Sequence, residues 1–252
     1  MLPLFVFAFL AGLIDSIVGG GGLIQLPALL IFLPQYPLAT VFGTNKLVSI
    51  TGTGMAAVQY SRHIKIPWRT ALLTAAAAFC CSFLGAGVVS LIDSRYLRPF
   101  IIILLLVIAV YIYFKKDFGE LQTLKLTPGK QLVFGLAAGA VIGFYDGFFG
   151  PGTGTFLIFA FIGLFGYTFL TATASAKVVN FATNLAAILF FLFNGSILFQ
   201  IALPMMVFNI LGAFIGTRLA ILKGNRFVRL LFLVVVGGVI FKLVWDTLGW
   251  HF

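Results

Sequence analysis

The sequence predicts an all-α polytopic membrane protein built from two inverted repeats. Each repeat is a broken, re-entrant helical hairpin followed by three transmembrane helices. Three observations carry this reading. The chain of 252 residues is 62% hydrophobic and only 9% charged. Two apolar segments are interrupted by an acid and a glycine cluster, Asp15 with Gly19-Gly20-Gly21-Gly22 and Asp146 with Gly150-Pro151-Gly152-Thr153-Gly154. These two interruptions are related by a constant offset of 131 residues.

The composition exceeds what a soluble core of this size needs. Several runs surpass the ~20 apolar residues that span a bilayer. The first basic residue is Lys46, so the basic start of a cleavable signal peptide is missing and none is expected. The net charge of +10 is read as basic cytoplasmic loops, not as a nucleic-acid surface. Cys80 and Cys81 are adjacent in an apolar segment and say little about redox compartment.

The first segment, residues 2–33, is too long for one crossing and breaks midway. Glycine weakens helices, and unpaired backbone in lipid costs several kcal/mol per group, so such a break needs protein or a watery cavity beside it. Helices at about 38–60, 68–92 and 97–114 follow. Residues 115–130 form the one extended polar stretch, with a Pro128-Gly129 turn, and separate repeat 1–114 from repeat 131–252. The second repeat reads alike, with a broken segment at 132–166 and helices at about 169–193, 198–221 and 227–245.

The offset pairs Asp146 with Asp15, Gly150 with Gly19, Gly152 with Gly21, Ser175 with Thr44, Lys177 with Lys46 and Gly216 with Gly85. Arg226 and Arg229 fall on Arg95 and Arg98. Charge decides the orientation of the halves. If each broken segment crosses once, loop Lys and Arg divide eight against five. If each enters and returns, Arg62, Lys65, Arg69, Lys115, Lys116, Lys125, Lys130, Lys223, Arg226 and Arg229 share one side, and Arg95, Arg98 and Lys242 the other. Ten against three is the positive-inside pattern. The limb Leu23 to Leu33, ~17 Å as a helix, is about half a bilayer. Both termini are therefore expected outside and the 115–130 linker in the cytoplasm.

Apart from the Lys and Arg assigned to loops above, five charges fall inside predicted membrane segments: Asp15, Lys46, Asp146, Lys177 and Arg218. Charges at that depth are expensive and point to function. The plain alternative is a pair of structural ion pairs within each half, Asp15 with Lys46 and Asp146 with Lys177. Arg218 lies near a helix end and is expected to reach the interface. After Gly22 and after Gly154 a short helix starts inside the membrane, with unpaired N–H groups and the positive end of its dipole. That is an anion site. The expected ligands are Gly20, Gly21, Gly22, Gln25, Thr44, Asn45, Lys46 and Ser49 from the first half. The second half supplies Gly152, Thr153, Gly154, Ser175, Lys177, Asn180 and Asn184. Lys46 and Ser49, like Lys177 and Asn180, are three apart on one helical face. Glycine-mediated helix packing is the alternative for the clusters. Asp15 and Asp146 serve either as ion-pair partners or as proton carriers. No catalytic group, metal cluster or cofactor is expected: the two histidines, His63 and His251, stand in a basic loop and beside the C-terminus.

Gly12-Leu-Ile-Asp-Ser-Ile-Val-Gly-Gly-Gly-Gly-Leu with Pro27, and Thr44-Asn45-Lys46-Leu47 downstream, resembles the TauE/SafE sulfite-exporter family. So do Gly143-Phe-Tyr-Asp-Gly-Phe-Phe-Gly-Pro151 and Ala176-Lys177-Val-Val-Asn180. The resemblance spans essentially the whole chain. It implies a bacterial inner-membrane permease for small sulfur-containing anions such as sulfite or organosulfonates. Pro151 and Thr153 replace glycines of the first half, so the half-sites are not equivalent. The expectation is a secondary transporter working by alternating access; an anion channel on the same scaffold is the alternative. A homo-oligomer is left open.

Overall fold

The structure, a computed structural model, describes residues 2–88 and 126–247. Eight helices are described: α1 Leu2–Val18, α2 Gly22–Phe32, α3 Leu38–His63, α4 Trp68–Val88, α5 Pro128–Phe148, α6 Thr153–Gly163, α7 Phe169–Phe193 and α8 Phe199–Thr247. The expected helix 97–114, residues 89–92 of the helix expected at 68–92, residues 115–125 of the linker, and Arg95 and Arg98 lie outside the described residues. The two helices expected at 198–221 and 227–245 follow one another directly within α8 and are divided at Gly224, whose backbone (φ 74, ψ −167) is not helical. Four described helices are long and apolar enough to cross a bilayer, and α1, α2 and α6 are shorter apolar helices. Val6, Ile31, Val141, Leu203 and Leu222 stand exposed on the outside of the bundle, as a lipid-facing surface requires.

Both broken segments fold back on themselves. A Cβ on Gly21 would lie 2.6 Å from the Ala11 carbonyl oxygen, ten residues earlier. At the far end of α2, Phe32 packs on Phe7 with ring centroids 6.3 Å apart. An unbroken helix would separate residues 7 and 32 by about 37 Å. In the second half Tyr145 packs on Phe156 at 5.3 Å, and a Cβ on Gly135 would lie 3.8 Å from Phe165. The short limbs α2 and α6 therefore run antiparallel to α1 and α5.

Each hairpin packs on the other half. The α1 helix lies along α8, with Gly12 against the Asn209 carbonyl and Gly216 against that of Leu13. The α5 helix lies along α4, with Gly143 against Ala78 and Gly85 against the Phe144 carbonyl. These are equivalent contacts under the 131-residue offset. At the centre, the equivalent helices α3 and α7 run antiparallel. Gly43 meets Phe191 while Gly54, three turns on, meets Phe181. The buried apolar side chains form two clusters. One contains Leu26, Ala28 and Leu29 of α2 and the other Phe156, Leu157, Ile158, Phe161 and Ile162 of α6, with Phe149 packed against both. The helix breaks meet where these clusters adjoin.

Candidate functional site

The two breaks touch. A Cβ on Gly19 would collide with the Gly154 carbonyl carbon, and one on Gly22 would lie 3.2 Å from Pro151. Only hydrogen fits at Gly19 and Gly154, and Gly19 also takes φ +78, where L side chains are disfavoured. Beside this contact lies a small cavity of about 20 Å³, room for roughly one water. It is lined by Asp15, Gly19, Gly22, Asn45, Lys46, Ser49, Thr53, Asp146, Gly150, Gly152, Gly154, Asn180 and Asn184. A larger open groove between the starts of α4 and α5 brings only Arg69 as a charged side chain.

The ion pairs are crossed between the halves. Lys46 Nζ lies 2.8 Å from Asp146 Oδ1, and Lys177 Nζ 2.8 Å from Asp15 Oδ2. The within-half pairs weighed from sequence as the plain alternative, Asp15 with Lys46 and Asp146 with Lys177, are not the ones formed. The reason is the exchange of hairpins. Each broken helix packs on the other half, which delivers its acid to the other half's lysine.

The two half-sites differ beneath this symmetry. Asp15 is saturated: Oδ2 accepts from Lys177 and, at 3.4 Å, from the Thr53 hydroxyl, while Oδ1 accepts from the Gly21 N–H at 3.3 Å. The carboxylate thus occupies the positive end of α2 itself. Asp146 is 2% exposed, and its Oδ2 is buried with no hydrogen-bond partner among the described residues. The start of α6 has no side-chain cap; Gly152 takes φ 83, and a Cβ there would meet nothing nearer than 3.8 Å.

The carbonyls at the end of α1 are held by side chains from three helices. Lys177 donates to the Asp15 carbonyl, Tyr60 to that of Ser16 at 2.9 Å, Thr173 to Ile17 at 3.4 Å and Thr155 to Val18 at 3.0 Å. A cation there also faces the negative end of the α1 dipole. The residues equivalent to Tyr60, Thr173 and Thr155 are Phe191, Phe42 and Ile24, which offer no donor to the end of α5.

Of the residues expected to bind substrate, Gly22, Asn45, Lys46, Ser49, Gly152, Gly154, Asn180 and Asn184 line the cavity. The others do not. Gly20 and Gly21 accept the first N–H bonds of α2. Gln25 is buried and donates to Asn45 Oδ1 at 2.8 Å while accepting from Asn209 at 3.1 Å. Thr44 accepts the Leu198 N–H ahead of α8. Thr153 and Ser175 donate to the Gly150 and Thr171 carbonyls of their own segments. Lys177 is fully buried in its pairing with Asp15. Arg218 is exposed.

Gly19, Thr53 and Gly150 also line the cavity, beyond the residues expected from sequence. Thr53 continues the Lys46 and Ser49 face at helical spacing, a signal present in the sequence. Asn209, an amide in an apolar helix, is another such signal. It donates to the Ala8 carbonyl at 3.0 Å and to Gln25 Oε1. A carbonyl can only accept, so this anchor orients the whole amide chain. Asn209 donates to Gln25, Gln25 donates to the Asn45 side-chain oxygen, and the Asn45 NH₂ is left for the cavity. Asn184 likewise donates to Asn180 Oδ1 at 2.8 Å, leaving the Asn180 NH₂. With Lys46 and the Ser49 hydroxyl, these are donors for an oxyanion.

Residues 4–243 match the model of the sulfite exporter TauE/SafE family. The chain belongs to that family. A probable membrane transporter protein ORF9 of a Sinorhizobium species is 40% identical over 96% of this chain and 92% of its own. A probable membrane transporter protein of Haemophilus influenzae is 36% identical over 99% and 96%. The probable membrane transporter protein YfcA of Escherichia coli K12 is 36% identical over 98% and 90%. No solved structure matches. This TauE/SafE chain is therefore a multi-pass membrane transporter, and the names of its relatives point to transport, not to an enzyme.

Proposed function

We propose that this TauE/SafE protein is a secondary transporter for a small sulfur oxyanion, sulfite or an organosulfonate, working by alternating access between inverted repeats. The observation that carries the reading is the small cavity where the two breaks meet, walled by Lys46, Ser49, Asn45 and Asn180. An ammonium, a hydroxyl and two amide NH₂ groups suit an oxyanion, and polar groups at such depth point to function. The family's description supplies the sulfur chemistry.

The cavity is smaller than the anion, so binding requires the breaks to part. The antiparallel run of α3 and α7 supports halves of opposite orientation, in which rocking of one hairpin set against the other opens the site to alternate sides. The protein then lies in the bacterial inner membrane with both termini periplasmic, and the 115–130 linker is cytoplasmic. A melting-temperature screen of purified protein against sulfite, thiosulfate, sulfonates, carboxylates and sulfate tests the ligand, since a ligand stabilises the fold it binds. Counterflow accumulation in liposomes is the expected mark of a carrier; large unitary currents would identify a channel instead.

A further inference from the structure

We infer that the pairs divide labour: Asp15–Lys177 is a fixed strut, while Lys46–Asp146 opens so that Lys46 takes the anion and Asp146 takes a proton. Three independent observations separate the pairs. Both acids line the cavity, but the Asp15 carboxylate has three donors, whereas Asp146 Oδ2 has none among the described residues. The α1 break is fastened by Tyr60, Thr155, Thr173 and Lys177, and the α5 break has Phe191, Ile24 and Phe42 at the positions matching the first three. Lys46 lines the cavity and Lys177 does not.

The surroundings of Asp146 define the exchange. From α3 it faces Lys46, its ion-pair partner, and across the cavity from α1 it faces Asp15, which Lys177 of α7 already neutralises. Tyr145 adjoins it on α5, with its hydroxyl donating to the Pro151 carbonyl at 2.6 Å. The other cavity side chains, Asn45, Ser49, Thr53, Asn180 and Asn184, are neutral. An arriving oxyanion competes for the Lys46 ammonium and for the open start of α6. Once Lys46 turns to the anion, Asp146 is a buried carboxylate with neither cation nor donor, a strongly disfavoured state. A proton from the bulk solution, relayed by water that enters with the anion, removes that cost by binding at Oδ2. One proton then accompanies each anion, and a monovalent anion moves without net charge. The proposal rests on the anion reading given above.

Infrared difference spectroscopy on the purified full chain tests it. Acidification is expected to produce the C=O stretch of a protonated buried carboxylic acid. Asp146→Asn should abolish the band, Asp146→Glu should restore one at a shifted frequency, and Asp15→Asn should keep it. Sulfite added at fixed pH should raise the same band. Persistence of the band in Asp146→Asn, or its loss in Asp15→Asn protein that is still folded, overturns the assignment. Sulfite that stabilises the protein without raising the band overturns the coupling. If neither sulfite nor any other screened anion shifts the melting temperature, it is the anion reading that fails. In that case the acid-induced band still decides whether Asp146 is the proton site.

Discussion

Lys46 on α3 of the first half holds Asp146 at the end of α5 of the second, 2.8 Å apart and both at most 5% exposed. Its counterpart, Lys177 with Asp15, has the same length and the opposite direction across the halves. A double-mutant cycle reads this directly. Lys46→Ala with Asp146→Ala, and Lys177→Ala with Asp15→Ala, should each show a coupling of about 0.5–3 kcal/mol in detergent unfolding. Lys46 with Asp15, and Lys177 with Asp146, should show less. Larger coupling within the halves would contradict the crossed arrangement.

The two lysines should fail differently. Lys177→Met leaves Asp15 without its cation and the α1 end without a donor, a loss of about 3–5 kcal/mol for a buried pair. Its signature is a lower melting temperature, with sulfite affinity in the folded fraction falling less than in Lys46→Met. Lys46→Met should weaken sulfite binding by about tenfold or more, roughly 1.4 kcal/mol or above, in protein that remains folded.

Contact between the breaks sets a steric test. Gly154→Ala places a methyl 2.5 Å from the Gly19 Cα and should cost about 1–3 kcal/mol by overpacking, or pry the breaks apart. Gly129→Ala, near the start of α5 with nothing within 4 Å, should leave the melting temperature unchanged or slightly raised. Equal behaviour of the two variants would speak against contact between the breaks.

Thr155→Val keeps the side-chain shape and removes the donor to the Val18 carbonyl. A buried acceptor left unpaired costs about 1–3 kcal/mol. Ile24→Val, at the equivalent half-buried apolar position, should cost no more than about 0.5–1.5 kcal/mol, the range for a buried Ile→Val truncation. A melting-temperature comparison of the two checks that the α1 break is the fastened one.

Topology is open to labelling. In a background with Cys80 and Cys81 replaced by alanine, single cysteines at Lys65 and Lys223 should react with impermeant reagent only from the cytoplasmic side. Cysteines at Tyr36 and Asn194 should react only from outside. These four positions are exposed in the fold. Lys65 and Lys223 labelling from opposite sides would rule out the inverted arrangement.

Much of this is legible in the residues themselves. Hydropathy sets which segments enter a membrane, and glycines with an acid in an apolar run mark a break, because neither is tolerated in lipid without a local reason. The offset of 131 exposes the duplication, and the folding back of residues 2–33 matches the half-bilayer length of the second limb. Spacing alone places Lys46 and Ser49 on one face and, read one turn further, includes Thr53.

The partners of the charges were decided by tertiary structure alone. A sequence orders acids and lysines along one chain, and nearness in that order suggests pairs within each half. The hairpins instead cross over, since α1 packs on α8 and α5 on α4 through glycine-backbone contacts that no local pattern encodes. The same packing brings Tyr60, Thr155, Thr173 and Lys177 from distant positions onto one helix end and leaves Asp146 with an unpaired oxygen. Local composition determined that there would be two breaks; only long-range packing gave one of them four side-chain donors and left the other, among the described residues, with an unpaired carboxylate oxygen.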